Sequence, residues 1–145
     1  MKLLLKSHEN RYDFIFLNDV IEYFPREEVV ENLKAICGAL KAGGQVVIKT
    51  GNTATLAGFY LRHKDFTHYL GFTEYSLKQV LLVAGFKDIN VSGNKIQFIL
   101  QPKRVVWVVA VKIIESLYRL YYALHYGEGC PTIFSKLLIA SAHKE

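Results

Sequence analysis

The chain has 145 residues, 51% of them hydrophobic and 21% charged, which is enough for one buried core and too apolar for a disordered polypeptide. Its net charge of +5 comes from basic residues scattered along the sequence, with no arginine stripe or lysine block, so no nucleic acid is expected as a partner. The two cysteines, Cys37 and Cys130, lie far apart without metal-like spacing, so no metal site is expected and free thiols in a reducing cytoplasm are.

Residues 1–5 are too short for the apolar region of a signal peptide and run at once into charge. No apolar run reaches the roughly 18 residues that suggest a membrane span. Residues 2–11 read as the tail of a helix followed by a polar loop, so the chain is expected to be a fragment, a split gene product or a shortened gene model. Phe14-Ile15-Phe16-Leu17 then reads as a short buried strand, closed by Asn18-Asp19. Pro25 stands where a helix can start, because the first helical position needs no N–H. Val29, Val30, Leu33, Ile36, Cys37 and Leu40 follow at helical spacing, with Cys37 on the buried stripe. Gly43-Gly44 is expected to end that helix, and residues 45–49 read as a second buried strand. Strand, helix, strand is a parallel crossover, and strands apolar on both faces suit a sheet covered on both sides.

Residues 52–72 read as a long loop with a short helix over 56–61, rich in aromatics and placed after a parallel strand, where open α/β sheets bind ligands. Thr73 is an N-cap, Glu74 lies at the positive helix end, Leu77, Val80, Leu81 and Ala84 form the buried stripe, and Gly85 ends the helix. Residues 88–91 and 95–100 read as strands around a tight turn at Ser92-Gly93-Asn94. Residues 102–126 repeat apolar side chains at helical spacing over a face wider than one sheet normally covers. That face has three readings: packing on the sheet, a subunit interface, or docking on a membrane surface, for which Trp107, Tyr118 and Tyr122 with flanking basic residues are suited. Residues 127–131 break the helix, and residues 137–142 read as a last strand.

Four stretches together resemble the second half of a class I S-adenosylmethionine-dependent methyltransferase. They are Tyr12-Asp13 with Asn18-Asp19-Val20-Ile21-Glu22-Tyr23, then Leu40-Lys41-Ala42-Gly43-Gly44, then Thr50-Gly51-Asn52, and Phe72-Thr73-Glu74-Tyr75-Ser76-Leu77 with Ala84-Gly85-Phe86. Tyr23 stands where the family often has His, and Ala42 where it often has Pro. The resemblance implies a single α/β domain over residues 1–145: a partial Rossmann-like sheet with parallel strands, a C-terminal antiparallel hairpin, and a long amphipathic helix, about 103–126, inserted before a last antiparallel strand. It also implies methyl transfer from S-adenosylmethionine to a small-molecule acceptor. The family's glycine-rich cofactor loop and the acidic residue after its second strand do not occur ahead of Tyr12, so a partner chain, or self-association through an open sheet edge, is expected. The rival reading is a non-catalytic truncated module that works by protein association or by docking its long helix on a membrane.

The resemblance places Leu17, Asn18 and Asp19 at the cofactor; the plainer role of Asp19 is to cap a helical turn. Glu22, Tyr23 and Asn52 are candidates for the acceptor side. Asp65 and His68 lie three residues apart in the loop, where an imidazole can take a proton from an oxygen nucleophile and a carboxylate can orient it. Transfer from a sulfonium needs mainly alignment, so the plainer reading of both is as loop surface.

Overall fold

The computed structural model describes residues 9–94, 102–127 and 130–145. Among these, four strands form one sheet in the order β1-β2-β4-β3: β1 Tyr12–Asn18, β2 Leu40–Gly51, β3 Phe86–Gly93 and β4 Leu137–Lys144. β1 and β2 are parallel, and β4 lies antiparallel between β2 and β3. The helices are α1 Val29–Ala39, α2 Gly58–His63, α3 Glu74–Val83 and α4 Pro102–Tyr126. The parallel pair, the antiparallel insertion of the last strand and the long helix before it agree with the expected α/β architecture. The strand expected over 95–100 lies outside the described residues.

One face of the sheet carries the core. Side chains alternate along a strand, so Val46, Ile48, Leu138, Ala140 and Ala142 share a face with Leu17, and Leu33 and Ile36 of α1 and Leu77 and Leu81 of α3 close over them. Phe14 and Phe16 point to the opposite face and are each 53% exposed. β1 also ends the sheet, with β2 as its one strand neighbour among the described residues.

Several local expectations are corrected. Pro25 does not start α1: its carbonyl accepts from Glu28 N–H at 2.9 Å in a turn, and the helix begins at Val29. Gly43-Gly44 does not end α1 either. The helix stops at Ala39, where Asn10 N–H binds the Gly38 carbonyl at 3.0 Å and Arg11 N–H binds that of Ala39 at 2.9 Å. Lys144 adds its ammonium to the Gly38 and Leu40 carbonyls at 3.2 and 2.7 Å, a cation at the negative end of a helix. The glycines lie inside β2, in a bulge between the pairs Tyr12↔Leu40 and Phe14↔Gln45, where Gly43 takes φ +73°. Cys37 is half-buried, and burial pushes its thiol up. The short helix lies at Gly58–His63, slightly later than expected. Ser92 and Gly93 belong to β3 and pair with Ile139 and Leu138, so the strand runs past the Val91 expected as its end.

The cap of α3 is as expected and more complete. Thr73 Oγ1 accepts from Ser76 N–H at 3.2 Å while Ser76 Oγ accepts from Thr73 N–H at 2.9 Å. Glu74 does more than face the helix dipole: its carboxylate is buried and accepts from Thr132 N–H at 2.9 Å and Ile133 N–H at 2.8 Å. It thereby holds the chain entering β4. Among the described residues α4 makes no extensive contact with any strand of the sheet. Its stripe of Val108, Val111, Tyr118 and Tyr122 turns inward, towards Phe134 and the 55–57 loop, while Val106, Val109, Ile113, Leu117, Leu120 and Leu124 remain exposed. No helix among the described residues is long and apolar enough to cross a membrane.

Candidate functional site

Beyond the carboxyl ends of β1 and β2 the chain leaves a cleft of about 320 Å³. Parallel strands splay their following loops there, which is why open α/β sheets place ligands at this end. After β1 the chain turns through Asp19, held at φ +53°, into a short 3₁₀ turn over Ile21–Tyr23. This turn buries Ile21 and sends Glu22 and Tyr23 to the cleft. After β2 the loop to α3 returns across the same opening. Its residues Tyr69 and Leu70 donate their N–H groups to the Glu22 carbonyl at 2.9 and 3.1 Å, and the Arg62 guanidinium binds the carbonyls of His68 and Tyr69. Sequence-distant segments are thereby clamped into one wall.

The structure brings five of the sequence candidates together: Asp19, Glu22, Tyr23, Asp65 and His68 all line the cleft. Asp65 sits at their centre. Its carboxylate accepts the Thr67 hydroxyl at 2.6 Å and the Thr67 N–H at 2.9 Å, and these bonds hold it below the usual carboxylate range. The Tyr23 hydroxyl donates to the other Asp65 oxygen at 3.3 Å, and partial burial followed by the charge of Asp65 raises the Tyr23 phenol above its ordinary value. His68 packs edge-on against the Tyr23 ring at 4.8 Å between centroids, and its Nε2 lies 3.9 Å from Asp65 Oδ2. That separation is ion-pair range and longer than a hydrogen bond. The imidazole is 8% exposed, so it faces the cleft and little bulk water.

Glu22 is also buried, and its carboxylate accepts from the Thr50 hydroxyl at 3.0 Å. Lys49 bridges Asn18 Oδ1 and Asp19 Oδ2, both at 2.9 Å, which fixes the two side chains after β1. Leu17 is in the core below them, and neither Leu17 nor Asn18 lines the cleft. Asn52 lies outside the cleft wall altogether. It is fully buried, donates to the Ile133 and Ser135 carbonyls at 2.8 and 3.0 Å, and accepts from Ala54 N–H at 3.0 Å.

Sequence reasoning missed the basic residues of the site. Lys49, Arg62, Lys64 and Lys136 all line the cleft. Lys49 carried a usable signal, a single charge closing the apolar run Val46-Val47-Ile48. Lys136 carried none, because β4 brings it in from the far end of the chain. Lys136 also lines a second cavity of about 220 Å³, otherwise formed by Leu56, Ala57, Val111, Ile114, Tyr118 and Phe134 with Thr55 and Glu115. There, burial and the Tyr122 hydroxyl push the Tyr118 phenol up to about 12, so it stays neutral.

No family model matches the sequence, and no curated protein matches it. Solved structures do. The chain resembles a SAM-dependent methyltransferase from Archaeoglobus fulgidus at a TM-score of 0.68 and 22% identity, over 99% of this chain and 64% of that one. It resembles a SAM-dependent methyltransferase from Thermotoga maritima at 0.61 and 13% identity, over 94% and 57%. It also resembles phosphoethanolamine N-methyltransferase 2 from Haemonchus contortus, solved with phosphomonomethylethanolamine and S-adenosylhomocysteine, at 0.54 and 18% identity, over 94% and 34%. The fold is therefore that of the class I methyltransferases, as the sequence resemblance implied. The chain spans less than two thirds of the length of each of these relatives.

Proposed function

We propose that this chain supplies the acceptor side of an S-adenosylmethionine-dependent methyltransferase acting on a small molecule, and that further polypeptide completes the cofactor side. The observation that carries the reading is the position of the cleft, at the carboxyl ends of β1 and β2 in a methyltransferase-like sheet. The greater length of the relatives and the apolar outer strand β1 support completion by another chain or segment. The free thiols of Cys37 and Cys130 are in keeping with a reducing cytoplasm.

In this reading Asp19 forms the rim against which the cofactor lies, with Asn18 tied beside it and Leu17 packed in the core below. Lys49 holds Asn18 and Asp19 in place. S-adenosylmethionine, when bound, supplies the electrophilic methyl group. The chain's own residues then align the acceptor and manage its proton. Glu22 and Tyr23 face the acceptor. His68 accepts the proton from the acceptor's hydroxyl or amine as the new bond forms. Asp65, kept ionised by Thr67, stabilises the resulting imidazolium across 3.9 Å. In the completed enzyme, His68→Ala should lower turnover roughly a hundredfold, the usual worth of a general base. Release of S-adenosylhomocysteine against a panel of small alcohols and amines measures this, with cofactor affinity and melting temperature followed in parallel. Unchanged turnover would remove the base role.

A further inference from the structure

The polar cleft and the apolar cavity under α4 share a wall residue, Lys136. The cavity is open and its walls are mainly Leu56, Val111, Ile114, Tyr118 and Phe134, the lining that suits the apolar part of a small ligand. The cleft beside it is lined by Asp19, Glu22, Asp65, Lys49 and Lys64, which a purely apolar molecule would desolvate without compensation. A purely polar molecule would leave the α4 cavity unused. The Lys136 side chain is exposed and makes no ion pair among the described residues, so its ammonium is available to a polar group lying between the two spaces.

We infer that the α4 cavity binds the apolar body of the methyl acceptor, which is then a small amphiphile: an alkyl chain or ring system whose hydroxyl or amine head passes Lys136 into the cleft. This rests on the methyl-transfer reading for the identity of the head group. It also gives α4 a purpose. The helix is attached along one stripe and forms a wall that the sheet alone does not supply.

The test uses the 145-residue chain with dansylaminoundecanoic acid as the probe, read by energy transfer from Trp107, the single tryptophan, which lies one helical turn from Val111. Saturable binding of one probe per chain is expected, with displacement by n-alcohols that strengthens about fourfold per added methylene until the cavity is full. Ile114→Glu should weaken binding at least about tenfold by placing a charge in the apolar wall. Leu117→Glu, on the outward face of the same helix, should leave it within about twofold. Val111→Phe, which fills the cavity without adding charge, should weaken binding as Ile114→Glu does, and serves if the latter loses its helical circular dichroism. Absence of saturable binding, a flat alcohol series, or equal losses in Ile114→Glu and Leu117→Glu would overturn the inference. No methyl donor is present, so such a failure would remove the amphiphilic acceptor and leave methyl transfer to its own test.

Discussion

The 145-residue chain on its own should sediment as dimers or larger assemblies, above its 16.6 kDa monomer mass. The cause is β1. It is a seven-residue strand at the end of the sheet, with β2 on one side and no strand on the other among the described residues. An uncovered strand presents a row of hydrogen-bonding groups that pairs readily with another chain. Phe14 and Phe16 add an apolar face at 53% exposure each, and a large apolar side chain left in water forfeits about 1.5–3 kcal/mol of burial. Lysine on such a strand opposes association. The double variant Phe14→Lys, Phe16→Lys should therefore raise the dissociation constant at least about tenfold, or about 1.4 kcal/mol. Sedimentation at tens of micromolar decides it. A wild-type monomer would show that β1 is covered within the chain. A variant that stays associated would move the interface to the outward face of α4.

Asn52→Leu should destabilise the chain by about 3 kcal/mol, because each buried group left without a partner costs roughly 1–3 kcal/mol. The substitution orphans the Ala54 N–H and removes the donors to the Ile133 and Ser135 carbonyls. Those bonds tie the end of β2 to the segment leading into β4, and the Asn52 N–H adds a bond to the Lys136 carbonyl at 3.0 Å. For a chain of this length the loss corresponds to a melting temperature lower by about 10 °C. Thermal melts by circular dichroism at one fixed protein concentration measure it, since association makes the midpoint concentration-dependent. An unchanged melt would mean that Asn52 is not a structural clamp.

Asn52 also shows where the sequence stops being informative. Thr50-Gly51-Asn52 was legible as the end of a parallel strand near a ligand site, but the partners that bury Asn52 are contributed by residues 133–135, which no local pattern connects to it. Lys136 was invisible at the cleft for the same reason. What is legible has a local physical cause: the apolar runs that make β1 and β2 strands, the apolar period of α3, the Thr73 cap, and Gly85 at φ +96° ending its helix; the burial expected for β1 does not hold, since Phe14 and Phe16 are exposed. Asp65 and His68 can be paired from the sequence, and placed near the cleft that both line, because their spacing is local and the loop position is set by the preceding strand. Pro25 and Gly43-Gly44 misled because each has two common uses. Proline serves a turn as well as a first helical position, and glycine serves a bulge as well as a helix end. Their surroundings in the fold decide between them. For the α4 face the sequence leaves three neighbours open, sheet, second subunit or membrane, because an amphipathic pattern does not say which neighbour is present.

The central claim is that the cleft is the acceptor half of a methyltransferase site, with the donor half supplied by other residues. Residues 1–11 contain no glycine, so the glycine-rich loop that the family resemblance calls for is not among them. Titration calorimetry of S-adenosylhomocysteine measures the claim directly, first on the 145-residue chain and then on the same chain co-expressed with the part of the Archaeoglobus fulgidus enzyme that its likeness leaves uncovered. The account predicts no micromolar binding to the chain alone, and a dissociation constant near micromolar, about −8 kcal/mol, for the completed protein. Micromolar binding by the 145-residue chain alone, or none by a completed protein that assembles, would contradict it.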